Sequence, residues 1–83
     1  MGMYQTIHEP IAVAGVYRQG KFEPKKFQWG GRTLPVKEVT LVIDSKDGGV
    51  RKRHYSILSG GNVYRLCFNR EAESWLLEEM WME

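Results

Sequence analysis

The sequence predicts an all-β fold: one antiparallel meander of five or six strands, curled into a small SH3-like or OB-like barrel. Glycine pairs separate short apolar runs, notably at Gly30–Gly31 and Gly60–Gly61, and such pairs are typical of β-hairpin turns. Phe27 and Trp29 lie two residues apart just before the first pair, so they share one face of a strand. The chain has 83 residues, which is the size of one domain.

The predicted elements follow one another with short turns between them. Residues 1–9 are expected to form a flexible leader, and residues 10–83 a single small β-barrel domain. Strand-like runs within this domain cover residues 11–18, 21–29, 32–44, 50–59 and 62–69. The last run, Trp75 to Met82, is assigned to a strand because its large apolar residues alternate, and a helix is the second choice because residues 71–80 are rich in helix formers.

One strand-like run changes its apolar phase partway along. Apolar residues fall at even positions up to Val36 and at odd positions from Val39 onward, which implies a bulge or bend near Lys37. Strands that bend in this way let small sheets curl into barrels. The expected core consists of Val13, Val16, Phe27, Trp29, Val36, Leu41, Ile43, Tyr55, Ile57, Tyr64, Leu66, Phe68, Trp75 and Leu77.

Charge is distributed unevenly along the chain. The segment from Arg18 to Arg65 holds eleven basic against four acidic side chains, a net charge of +7. The segment from Arg70 to Glu83 holds one basic against five acidic side chains, a net charge of −4. A basic body with an acidic tail is typical of proteins that bind polyanions or associate electrostatically.

Several function classes receive no support from the sequence. The single cysteine, Cys67, excludes an internal disulfide and any multi-cysteine metal site, and His8 and His54 do not show metal-ligand spacing. No phosphate-binding loop, dinucleotide motif or nucleophile elbow is present, and the neighbouring carboxylates Glu78 and Glu79 point to opposite faces of a strand. We therefore expect no catalysis, cofactor, metal or small-molecule substrate. No membrane-length apolar run or signal core occurs either, so we expect a cytoplasmic protein without membrane contact.

A basic surface interleaved with aromatic residues is the leading candidate for function. Ammonium and guanidinium groups displace counterions from a nucleic-acid backbone, and exposed rings stack on bases. DNA and RNA are both open as partners. The candidate nucleic-acid-binding residues are Lys25, Lys26, Arg32, Arg51, Lys52, Arg53, Arg65, Trp29 and Tyr55. The same cations could instead serve only to keep edge strands from pairing with other chains.

The rival hypothesis is a protein-interaction or homodimeric module. The acidic C-terminal segment and the terminal aromatics Tyr4 and Trp81 would form its contact surface. In a homodimer, the basic run from Arg51 to Arg53 of one subunit would meet Glu78, Glu79 and Glu83 of the other.

The chain resembles a family of small bacterial domains of unknown function that share an F-x-W-x-G-R hairpin followed by three further strands. The resemblance covers Pro10 to Met80, nearly the whole chain. The residues that carry it are Pro24, Phe27, Trp29, Gly31, Arg32, Val36, Tyr55, Tyr64, Leu66, Phe68, Asn69 and Trp75. Some relatives lie near genes for DNA-repair polymerases, which implies a nucleic-acid partner. The family supplies no catalytic residues, and Pro35 departs from it where relatives have an aromatic residue.

Overall fold

A computed structural model of the protein describes residues 2–82. Seven β-strands pair antiparallel in one sheet, in the order β3-β2-β1-β7-β6-β5-β4. The strands are β1 (Met3–Arg18), β2 (Lys21–Trp29), β3 (Arg32–Pro35), β4 (Glu38–Asp47), β5 (Val50–Ser59), β6 (Asn62–Asn69) and β7 (Ser74–Met82). The all-β prediction is confirmed, with seven strands rather than five or six. No membrane-spanning helix is found in the described part of the chain.

Four hairpins are closed by two-residue turns. Both turn residues have positive φ in each case, for example 59° and 74° at Gly30–Gly31, and 54° and 81° at Gly60–Gly61. This is the type I′ geometry, whose twist matches that of the flanking strands and which glycine adopts without steric cost. The predicted glycine turns are therefore confirmed.

The sheet is strongly curled but is not closed into a barrel. The Phe27 ring of β2 lies 5.2 Å from the Tyr64 ring of β6, although β1 and β7 separate these strands in the sheet. The two edge strands, β3 and β4, meet at a corner where the Val36 amide donates to the Lys25 carbonyl and the Lys37 amide to the Leu58 carbonyl, each at 2.8 Å. No ladder joins the first half of β2 to β4 within residues 2–82, so the predicted barrel is matched only roughly.

The core fills the concave face of the curled sheet. Most of the predicted core residues lie there, either fully buried or packed at its margin. Met80 is an additional core residue, only 6% exposed. Three predicted core residues, Val16, Leu41 and Ile43, are exposed, so this part of the prediction is wrong.

These errors come from strand phase. Val16 lies on the opposite face from Val13 by simple alternation along β1. In β4, the register with β5 shifts between Val39 and Leu41. Because of this shift, Val39 and Val42 both lie on the concave face of the sheet, and Leu41 lies on the convex face. The predicted bend is real, and the bulge lies a few residues further along the chain than expected.

Both ends of the described chain belong to the sheet. Residues 3–9, assigned to a leader by the sequence, form the first half of β1 and pair with β7. A register shift between Thr6 and Glu9 leaves His8 at a φ of 54°, and this bulge interrupts the apolar alternation that would have marked a strand. The C-terminal run is a strand, as predicted, and the helix alternative is wrong.

Candidate nucleic-acid interface

A cleft opens where the sheet fails to close. We call it the aromatic cleft and define it by Tyr17, Phe22, Phe68, Trp75, Arg53 and Arg70, which line a cavity of about 290 Å³. The β1–β2 hairpin forms one wall, and β5, β6 and β7 form the floor. A second cavity shares Phe22 and Arg53 with the aromatic cleft. It extends toward Lys21 of β2 and toward Val42 of the edge strand β4.

Trp75 lies at the centre of a group of aromatic rings. Its ring centroid is 4.9 Å from that of Phe68, 5.4 Å from that of Tyr55 and 5.6 Å from that of Phe22. Tyr17 packs edge-on against Phe22 at 5.2 Å and is 78% exposed, more than any other large apolar side chain among residues 2–82. The cleft therefore presents one free ring supported by a rigid set of others.

Gly15 allows the hairpin to reach this position. The β1–β2 register shifts between Ala14 and Gly15, so the β2 backbone bulges toward β1 at this point. A Cβ atom on Gly15 would collide with the Glu23 carbonyl oxygen and would lie 2.7 Å from the Phe22 ring. The bulge turns Phe22 into the cleft, and only glycine leaves room for it.

Two arginines border the aromatic cleft. Arg53 binds the Asp44 carboxylate through two hydrogen bonds of 2.6 and 3.0 Å. These bonds raise the pKa of Arg53 and hold the pKa of Asp44 below its usual value. Arg70 makes no ion pair within residues 2–82, although its charge helps to lower the pKa of Asp44. A groove beside Arg70 continues the cleft along the end of the β4–β5 hairpin, and its other lining residues are Asp44, Ser45, Lys46, Arg51 and Lys52. We call this the basic groove.

The structure divides the predicted basic residues into two groups. Arg51, Lys52 and Arg53 lie at the aromatic cleft or the basic groove. Lys25 lies near the corner that contacts Leu58, at the opposite end of β5. At about 3.3 Å per residue, the two groups are separated by roughly 15–20 Å along the strand. Lys26 on β2 and Arg32 on β3 belong to the same part of the sheet as Lys25, because β2 and β3 pair with each other and not with β5.

Four of the predicted cations are occupied by acidic partners within the chain. Their ion pairs are Lys25–Glu23 at 3.3 Å, Lys52–Asp47 at 3.4 Å, Arg53–Asp44 at 2.6 Å, and Arg65–Glu78 and Arg65–Glu79 at 3.2 and 3.6 Å. Lys26, Arg32 and Arg51 form no ion pair with the described residues. The predicted single stripe is therefore not assembled.

The two rings predicted to stack on bases, Tyr55 and Trp29, are both less exposed than Tyr17. Tyr55 is 3% exposed, and burial raises the pKa of its phenol. Trp29 is half-buried: its Nε1 donates a 3.0 Å hydrogen bond to Glu9, and its ring packs edge-on against Tyr64. The most exposed ring among residues 2–82 is Tyr17, which in the sequence is only the end of an apolar run.

A polar cluster lies on the convex face, on the other side of the sheet from the aromatic cleft. His54 of β5 and Cys67 of β6 are paired cross-strand neighbours, and Glu78 reaches them from β7. His54 Nδ1 lies 2.6 Å from Glu78 Oε1, and His54 Nε2 lies 2.8 Å from Ser45 Oγ. Burial, reinforced by the Glu78 charge, raises the pKa of the Cys67 thiol, so this thiol is neutral near pH 7.

No residue spacing in the sequence marks this convex cluster, because its members come from three strands. A β-bulge between β6 and β7 places Leu66 opposite Leu77 and Arg65 opposite Glu79, and Glu78 is the extra residue. Glu78 and Glu79 consequently point to the same convex face, where both contact Arg65. The expectation that they point to opposite faces is wrong.

The contacts proposed for a homodimer are largely occupied within the chain. Glu78 and Glu79 are bound to Arg65, and the Tyr4 hydroxyl donates to Glu79. Glu83 lies outside the described residues. Tyr4 and Trp81 do form an exposed aromatic pair, with ring centroids 6.0 Å apart.

Comparison of the chain with protein-family models, curated proteins and solved structures returns no match.

Proposed function

We propose that this chain is a non-enzymatic module that binds single-stranded nucleic acid in the aromatic cleft. The carrying observation is the juxtaposition of the exposed Tyr17 ring with Arg70, which makes no ion pair within residues 2–82, at the mouth of a ring-lined cavity. Base–aromatic stacking contributes roughly 1–3 kcal/mol per base and accepts any base, because each has a π-face. The resemblance to domains encoded near DNA-repair polymerases agrees with such a partner.

The form of the cleft favours unpaired bases over a duplex. Its volume of about 290 Å³ is at the lower end of ligand pockets, roughly 300–1,000 Å³, and suits one or two planar rings. A duplex keeps its base faces stacked inside and offers only phosphates and groove edges to a cleft of this kind. The basic groove beside Arg70 would hold the phosphates that flank the inserted base.

Fluorescence anisotropy with a labelled ten-nucleotide single strand and the matching duplex tests this function. We expect the single strand to bind more tightly, with an affinity that falls steeply between about 50 mM and about 200 mM salt. Arg70→Gln should weaken binding and flatten the salt dependence. Lys26→Gln is the matched control: it removes an equally free and exposed cation on β2, and it should change neither quantity. Equal losses in the two variants, or no binding at low salt, would contradict the proposal.

A second candidate function is self-association through β4. This strand has a neighbour on one side only within the described residues, and its central residues Leu41, Val42 and Ile43 are all exposed. An apolar edge strand with free backbone groups can pair with another strand. Sedimentation velocity over a range of protein concentrations separates the two functions. Leu41→Lys should abolish any dimer and leave oligonucleotide affinity unchanged.

A further inference from the structure

We infer that His54, Cys67 and Glu78 form a binding site for a divalent cation of the zinc class on the convex face. Each residue offers one ligand atom, and these atoms all lie within 4.8 Å of one another. His54 and Cys67 are buried, and Glu78 is half-buried. Imidazole nitrogen, thiolate sulfur and carboxylate oxygen are the three ligand types that Zn²⁺ uses in proteins.

Small side-chain movements would bring the three atoms to tetrahedral positions. With Zn–S near 2.3 Å and Zn–N and Zn–O near 2.0–2.2 Å, tetrahedral ligands lie about 3.3–3.7 Å apart. The 2.6 Å contact between His54 and Glu78 must therefore open by about 1 Å, and the longest separation must close by a similar amount. Glu78 lies at a bulge and can adjust its torsions, while the sheet fixes His54 and Cys67.

The surroundings match the second shell of a metal-bound histidine. If Nδ1 binds the cation, Nε2 carries the proton and donates it to Ser45 Oγ, 2.8 Å away. Metal-bound histidines almost always donate their other ring N–H in this way, which fixes the tautomer. Arg65, which contacts Glu78 at 3.2 Å, keeps a carboxylate partner in Glu79 when Glu78 turns to the cation.

Charge and ligand type select the cation. Binding releases the Cys67 thiol proton, and the resulting thiolate and the Glu78 carboxylate together neutralise a 2+ ion. A thiolate and an imidazole disfavour Mg²⁺ and Ca²⁺, which take oxygen ligands. The chain supplies three ligands, and water completes the tetrahedron.

Titration with Co²⁺ tests the site because cobalt reports its ligands by absorption. We expect a thiolate-to-cobalt charge-transfer band in the near ultraviolet, displaced by one equivalent of Zn²⁺. Cys67→Ser should abolish the band. Glu78→Gln should weaken Co²⁺ affinity at least about tenfold. His8→Gln is the matched control, since it removes the other, exposed histidine, and it should leave the band unchanged.

Amide NMR spectra confirm that each variant is folded before it is titrated. If Cys67→Ser does not fold, Glu78→Gln and His8→Gln carry the test. The absence of a charge-transfer band in the wild-type protein, or equal weakening by Glu78→Gln and His8→Gln, would overturn the inference. None of His54, Cys67 and Glu78 lines the aromatic cleft or the basic groove, although Ser45 lines the groove, so separate variants test cation binding and oligonucleotide binding.

Discussion

Replacing Tyr17 with alanine should separate the binding surface from the fold. The Tyr17 ring is 78% exposed, and its one aromatic contact is the edge-on packing against Phe22 at 5.2 Å. Such a pair contributes about 0.5–1.5 kcal/mol, so Tyr17→Ala should lower the free energy of unfolding by no more than that. Stacking of one base on the ring contributes roughly 1–3 kcal/mol. The single-strand dissociation constant should therefore rise about 5- to 150-fold.

Two assays measure these quantities separately. Urea denaturation followed by tryptophan fluorescence gives the change in stability, and anisotropy with the ten-nucleotide strand gives the change in affinity. Tyr4→Ala is the matched control because Tyr4 is also exposed and packs on one ring, Trp81. It lies away from the cleft and should not change the affinity. An unchanged affinity in Tyr17→Ala, with the protein folded, would refute the stacking argument.

Three further predictions concern the sheet that builds the cleft. Gly15→Ala should lower the free energy of unfolding by about 1–3 kcal/mol, because its new methyl group meets the Glu23 carbonyl; chemical denaturation measures this loss. Ile57→Ala, at a site with no exposed surface, should cost about 2–5 kcal/mol in the same assay. Asp44→Asn should lower stability at pH 7, and this loss should shrink as the pH falls below about 3.8. The lowered pKa of Asp44 in its pair with Arg53 stabilises the fold above the unfolded pKa near 3.8, and this gain is lost as pH falls through the folded pKa.

Each of these outcomes has a direct contradiction. A Gly15→Ala protein as stable as the wild type would show that the bulge does not need glycine. An Ile57→Ala loss below about 1 kcal/mol would place Ile57 outside a close-packed core. A constant difference between Asp44→Asn and wild type from pH 7 to pH 2 would show that the Arg53 pair does not set the acid dependence. Asp47→Asn is the control for the last experiment, since Asp47 is an exposed acid in a longer ion pair.

The hairpins were predictable because turn chemistry is local. Paired glycines require positive φ wherever they close a two-residue turn, and alternation about them placed Tyr55, Ile57, Tyr64 and Leu66 in the core. Bulges were harder to locate, because one extra residue reverses every later side chain. The bulges in β1, β4 and β7 account for the assignment of residues 3–9, for the exposure of Leu41 and for the common face of the two glutamates.

The candidate sites depended on contacts that the sequence does not encode locally. The structure places Arg51 to Arg53 at the aromatic cleft and the basic groove, but their neighbours there are Tyr17, from the end of β1, and Arg70, from the turn after β6. Lys25 and Lys26 belong to another part of the sheet. The His54 and Cys67 pair depends on the β5–β6 register, and Glu78 joins them only through a bulge. Residues from separate strands meet in this way only in the complete, curled sheet.

Amide NMR mapping of the isotope-labelled protein, titrated with a short single-stranded oligonucleotide at low salt, tests the central claim most directly. Binding in the aromatic cleft predicts shifts that cluster on Tyr17 to Phe22, on Arg51 to Arg53 and on Phe68 to Arg70, and that shrink as salt is added. Lys26 and Arg32 should remain unshifted. Shifts confined to the Lys26 side of the sheet, or none at any residue, would contradict the account.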